Sequence, residues 1–221
     1  MFPQTFRTSL TDLFGIEHPL ICGGMMWLAD AAYVSAVARA GGIGFITPRS
    51  FPTSEEFREQ LRLAHDQSDD KPFGVNLYIS ARPEANELLE TFLEISIDEG
   101  VKFIESAGFS PKAFMPRIKD AGMTVIHKCT TLRHAVSAQN AGVDAIIILG
   151  AEAGGHPGRD MIGTMVQGAT VPQALDVPVA LAGGMGTGRQ LMACLSLGAG
   201  GMVLATRMIV SEEVWAHQNY K

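Results

Sequence analysis

Short apolar runs alternate with amphipathic segments along this chain of 221 residues. The apolar runs are continuous and rich in Ile, Val, Leu and Phe, as strands buried on both faces of a parallel sheet are. They predict strands over 19–22, 43–46, 73–79, 101–105, 123–128, 145–149, 178–182 and 201–207. Between them, apolar residues recur at helical spacing. Asp30 precedes a predicted helix over 31–40 that stops at Gly41-Gly42, and Ser54 caps one over 54–65 with glutamates in its first turn. Further helices are predicted over 84–99, 111–120, 132–140 and 189–198. Eight strands alternating with helices, with no sign of a sheet edge, fit an α/β fold of the (β/α)8 TIM-barrel type better than an open doubly wound sheet. Residues 1–221 are expected to form a single domain. Residues 211–217 read as the start of an eighth helix of about one turn. The barrel is therefore expected to be truncated there, leaving part of its wall for a partner, such as a second copy in a homo-oligomer, to cover.

In a parallel barrel the C-terminal ends of the strands share one face, and active sites form there. Those ends carry Gly23-Gly24-Met25, Asn76, Glu105-Ser106, His127-Lys128, residues 152–156, Gly183-Gly184 and Ala205-Thr206. The sixth predicted strand breaks into Gly150-Ala151-Glu152-Ala153-Gly154-Gly155-His156-Pro157-Gly158, and four glycines in nine residues sustain neither strand nor helix. They let backbone pass close to a ligand and hold up one imidazole. A loop histidine is commonly just solvated, but this one is framed by glycines and a proline at a strand end, so it is the better candidate for chemistry. Gly183-Gly184-Met185-Gly186-Thr187-Gly188 opens a helix and Thr206 follows the next strand. Loops after strands seven and eight form the usual phosphate pocket of this architecture, although tight turns alone would also explain the glycines. Neither a Walker loop nor a Rossmann fingerprint is present. Lys128 at a strand end could favour a reduced flavin or a phosphate, or simply reach water. Asn76 offers a donor and an acceptor for a flavin's pyrimidine edge, or makes a turn. Spacing gives no evidence that Glu105 and Glu152 meet, and Glu152 reads as a loop organiser. His18 and His127 read as structural.

Composition narrows the classes. A net charge of −6 without a basic cluster argues against nucleic acid and anionic membrane surfaces as partners. No apolar segment is long enough for a membrane span, and the N-terminus is too polar for a signal peptide. Cys22, Cys129 and Cys194 are widely spaced in apolar company, with no zinc pattern, and suit buried thiols in a reducing cytoplasm.

The segments HPLICGGMMW (18–27), FGVN (73–76), IHKCTTLRHA (126–135), GAEAGGHPGRDMIG (150–163), AGGMGTGRQL (182–191) and the ATR after the last strand resemble the nitronate monooxygenase family, the 2-nitropropane dioxygenase-like FMN enzymes. The matches span nearly the whole chain in the family's order. The resemblance implies an FMN-binding TIM barrel that oxidises alkyl nitronates with O2 and needs no metal. It implies His156 as the catalytic histidine, a general base or a partner to the substrate. Gly24, Met25, Asn76, Lys128, Gly155, Gly183, Gly184 and Thr206 match FMN-contacting positions, and Ala205 stands beside them where the family usually has glycine. Family members continue beyond the point that corresponds to Lys221, completing the eighth helix and adding a lid segment that is expected to be lacking here. A related FMN barrel taking hydride from NAD(P)H, as a quinone or enoyl-thioester reductase, is the close rival. A non-catalytic truncated barrel is the rival of another class.

Overall fold

The computed structural model describes residues 5–221. Eight parallel strands close into one barrel in sequence order. They are β1 (Leu20–Cys22), β2 (Ile43–Ile46), β3 (Gly74–Ile79), β4 (Phe103–Gly108), β5 (Thr124–Cys129), β6 (Ala145–Leu149), β7 (Val179–Ala182) and β8 (Gly201–Leu204). Closure runs through Leu20↔Met202, Ile21↔Val203 and Cys22↔Leu204. The α/β-barrel expectation from the sequence is met.

Alternation along each strand sorts side chains to two cores. Ile21, Phe45, Ile126, Ile147, Ala180 and Val203 fill the barrel. Cys22, Val75, Ile104, Val125, Ile148 and Leu181 point outward, into the layer beneath the helices. That layer is built by α2 (Ala31–Arg39), α3 (Ser54–Gln67), α4 (Glu87–Asp98), α5 (Met115–Asp120), α6 (Leu132–Asn140), α7 (Thr164–Gly168) and α8 (Gly188–Ser196). All three thiols are buried, and burial pushes Cys22 and Cys129 up to about 12. Among the described residues no helix is long and apolar enough to cross a membrane.

Several boundaries differ from the sequence expectation. A helix the pattern did not indicate, α1 (Ser9–Phe14), is held by a Thr8–Thr11 capping box. It closes the barrel floor, with the Phe14 ring 5.3 Å from Phe103 and 6.4 Å from Phe45 in edge contacts. Burying Leu10 and Phe14 fully there is worth roughly 1.5–3 kcal/mol each. The cap of α3 is Thr53, not Ser54, because its hydroxyl accepts from the Glu56 N–H while Glu56 returns to the Thr53 N–H. Strand β4 starts later than expected and runs on to Gly108, so Glu105 lies within the strand rather than at its end. Strand β8 stops at Leu204, and Thr206 and Arg207 lie instead in a single turn, α9 (Thr206–Ile209). Residues 211–217 form no helix, and Val214 and Ala216 are buried in the outer core.

The outer layer also contains a buried polar pair. Ser106 and His127 face each other in register across β4 and β5, with Oγ 2.9 Å from Nδ1. Burial holds His127 down at about 4. Its folded value lies below the ordinary imidazole value of about 6.5, so the unfolded chain binds the proton first. Stability conferred by the neutral ring is therefore present above about 6.5 and lost as pH falls towards about 4, by on the order of 3 kcal/mol in total. Urea unfolding at pH 7 and pH 5 should show a smaller pH-dependent loss for His127→Asn than for the parent protein. Equal losses would exclude His127 as the source.

Candidate active site

Inside the barrel, the apolar layers give way to a polar one at the C-terminal ends of the strands. Thr47, Asn76, Glu105 and Lys128 continue the inward-facing positions of β2 to β5. Glu105 is completely buried and is the hub. Its Oε2 accepts from the Gly24 N–H at 2.9 Å and from Asn76 Nδ2. Asn76 stands opposite Glu105 in the β3–β4 register. Lys128 stands opposite Ala107, two residues further along β4, and its long stem brings Nζ to 2.8 Å from Glu105 Oε1. That contact is an ion pair without good hydrogen-bond direction, and among the described residues Oε1 has no hydrogen-bond donor. The Thr47 hydroxyl is likewise buried without a hydrogen-bond partner among the described residues. The glycines of the β1 end are needed for this closeness. A Cβ on Gly23 would lie 2.8 Å from Glu105 Oε1, and one on Gly24 would lie 2.4 Å from the Asn76 Cβ.

After β6 the chain forms a loop pinned at its neck. Glu152 Oε2 accepts from the Thr164 N–H at 2.9 Å and from its hydroxyl at 2.8 Å, and the Ala151 N–H donates to the Ile162 carbonyl. The Thr164 hydrogen bonds, backbone first, hold the Glu152 carboxyl below its usual range. Glu152 is thus a loop organiser, and it meets Thr164 rather than Glu105. The loop carries His156, which is exposed. Its ring centroid lies 5.9 Å from that of Tyr78 on β3, with the planes 37° apart. Since β3 and β6 are three strands apart around the barrel, the loop lies over the mouth.

At the ends of β7 and β8, Gly183 and Gly184 take φ values of +113° and +67°, which favour glycine. A capping box of Thr187 and Gln190 starts α8, and Gln190 Oε1 takes the N–H groups of Gly186 and Thr187. Among the described residues, no protein acceptor takes the N–H of Gly183, Gly184 or Met185. Ala205 precedes α9 with φ −140° and ψ −76°, and Ala205 and Thr206 are exposed.

The structure therefore brings Gly24, Asn76 and Lys128 into one cluster through Glu105. It joins Gly183 and Gly184 to the Glu152–Thr164 neck, where Cβ atoms on them would lie 2.6 Å from Thr164 Oγ1 and 3.2 Å from the Glu152 Cβ respectively. Gly155 and His156 belong to the loop above. Met25 packs on the outer core, and its carbonyl takes the Leu28 and Ala29 N–H groups. No hydrogen bond within the described residues links His156 to the cluster below. Sequence reasoning did not find Thr47, Tyr78 or Thr164. Strand alternation through Ile43, Phe45 and Thr47 was the available signal for the first. Uncommitted N–H groups, a cationic ammonium and buried polar atoms lacking partners form a donor set that suits a flavin mononucleotide. Among the described residues, no group of three or more His, Cys, Asp or Glu side chains is placed to hold a metal ion.

A closed parallel barrel with a glycine-rich corner after β7 and a polar mouth at the strands' C-terminal ends defines an α/β-barrel class of protein. The chain belongs to the nitronate monooxygenase family, whose model matches residues 7–221. It is 34% identical over 211 residues to the (3aS,4S,5R,7aS)-5-hydroxy-7a-methyl-1-oxo-octahydro-1H-indene-4-carboxyl-CoA dehydrogenase of Rhodococcus jostii, covering 95% of this chain and 57% of that one. It is 28% identical over 257 residues to a probable nitronate monooxygenase of Staphylococcus saprophyticus, covering 97% and 71%. Among solved structures, FabK from Thermotoga maritima matches with TM-score 0.88 at 32% identity, over 96% of this chain and 66% of that chain. Nitroalkane oxidase from Streptomyces ansochromogenes matches with TM-score 0.81 at 25% identity, over 95% and 70%. The chain spans just over half the length of the CoA dehydrogenase relatives.

Gly24→Ala tests how tightly the mouth is built. The added methyl must displace Asn76, whose own Cβ cannot swing away, and overpacking of this kind costs about 1–3 kcal/mol. Urea unfolding should show that loss, whereas an unchanged midpoint and slope would mean that the β1 end has room to relax.

Proposed function

We propose that this chain is an FMN-binding barrel domain that oxidises alkyl nitronates, or nitroalkanes, with O2. The observation that carries the reading is the loop after β6, which suspends His156 over a mouth lined by Asn76, Glu105 and Lys128. Membership of the nitronate monooxygenase family supports it. Gly183, Gly184, Ala205 and Thr206 would hold the phosphate of FMN, and Gly24, Met25, Asn76, Lys128 and Gly155 would hold its ring system. Bound there, FMN supplies the electron acceptor for the substrate and the electron donor for O2.

His156 is the residue for the proton. An imidazole with one protonated ring nitrogen keeps a lone pair on the other. It can take the proton from the nitro-bearing carbon of a nitroalkane, leaving the nitronate, and then donates a hydrogen bond to that anion. A substrate that arrives as a nitronate needs only the hydrogen bond. Tyr78, against the imidazole, limits where the ring can lie. The apolar layers below the mouth keep water from approaching through the barrel.

A second reading has its own support. The CoA dehydrogenase relative and FabK match at higher identity than the nitronate monooxygenase and nitroalkane oxidase relatives. An acyl thioester, with NAD(P)H as reductant, is the substrate class of that reading.

Absorbance of the FMN-reconstituted protein decides between them. Anaerobic addition of a small alkyl nitronate should change the flavin band, and NAD(P)H should not. The reverse pattern would move the assignment to the thioester reading, and failure to take up FMN would overturn both. His156→Ala should retain FMN and lose nitroalkane turnover by about 10²-fold or more, the usual contribution of a general base. An undiminished rate would remove His156 from the reaction.

A further inference from the structure

Glu105 is the carboxylate least accessible to solvent at the mouth, yet it contacts three of the groups assigned above to the cofactor. Two consequences follow from its geometry. An ionised carboxylate only accepts hydrogen bonds, so the Asn76 amide must turn its Nδ2 towards Glu105 Oε2. The Asn76 carbonyl oxygen is thereby presented elsewhere, as an acceptor. The second consequence is electrostatic. Lys128 Nζ lies 2.8 Å from Glu105 Oε1, so most of its charge is compensated within the protein. Among the described residues, Oε1 has this ion pair and no hydrogen-bond donor.

We propose that Glu105 is a positioning residue of the cofactor site, which orients Asn76 as an acceptor and compensates the charge of Lys128. This rests on the FMN reading. Reducing bound FMN adds two electrons and one proton, which leaves the ring system one charge more negative. A bare ammonium beside it favours that change, and an ammonium neutralised by Glu105 favours it less. Glu105 therefore keeps the reduction potential of the bound flavin lower than Lys128 alone would set it. A glutamine in its place keeps the shape, removes the charge, and can donate to the Asn76 carbonyl, which releases the amide from its orientation.

The experiment compares flavin midpoint potentials, measured by anaerobic equilibration with a reference dye, in the parent protein, E105Q and E105Q/K128M. E105Q should be more positive than the parent, and the double variant should return towards it. A purely structural glutamate would leave the potential where it was, and an unchanged potential in FMN-loaded E105Q overturns the proposal. If E105Q does not fold, recovery of the folded, FMN-binding state in E105Q/K128M supports the charge-compensating role, and continued failure overturns it. A parent protein that takes no FMN sinks the cofactor reading and this inference with it. Bound FMN with an insensitive potential sinks this inference alone.

Discussion

Closing a parallel sheet on itself leaves no edge and divides every strand residue between an inside and an outside. Here β8 meets β1 over three residue pairs, and the rest of the molecule follows from that closure. The inside is narrow. It is filled by Ile, Phe, Ala and Val and closed at the floor by α1. The layers at the mouth hold polar side chains, and the chain leaving β1 there carries two glycines, which let neighbouring groups approach the backbone.

A buried carboxylate is costly unless it is paired and hydrogen-bonded, and breaking such a pair costs more than the pair contributes. Glu105 is tolerated because three other strands bring partners to the same height. Register sets Asn76 beside it, the turn after β1 supplies a backbone N–H, and the flexible lysine stem covers the two-residue offset on β5. Such a cluster adds little net stability. What it adds is orientation, since each member is held by a group that can take only one kind of hydrogen bond.

The loop above the mouth is arranged differently. His156 is exposed on a loop, but the loop's neck is tied by Glu152, Thr164 and the Ala151–Ile162 hydrogen bond. An exposed imidazole on a fixed neck is held beside Tyr78 at the mouth without being built into the core. The relatives carry names that refer to different substrates, a CoA thioester in one, a nitronate in another and a nitroalkane in a third.

How much of this could be read from the residues depended on whether the signal was local. Continuous Ile-Val-Leu runs and glycine stops are local, so the strand count, the barrel and the helix over Leu132–Asn140 were legible. The glycine-rich breaks after the sixth and seventh strands were legible for the same reason, because backbone conformation is a property of a few neighbouring residues. The α1 plug was not: its pattern is short, and it is stable only because Phe14 finds Phe103 and Phe45 from distant strands. Nor were the partners of Glu105, on which spacing along the chain gives no evidence. The inward side of a strand and the height of a residue around a closed barrel are set by register between chains of hydrogen bonds, not by neighbours in sequence. Asn76 and Glu105 are 29 residues apart and Glu105 and Lys128 meet across a two-residue offset, so only the pairing and register of β3, β4 and β5 in the folded sheet could bring them together.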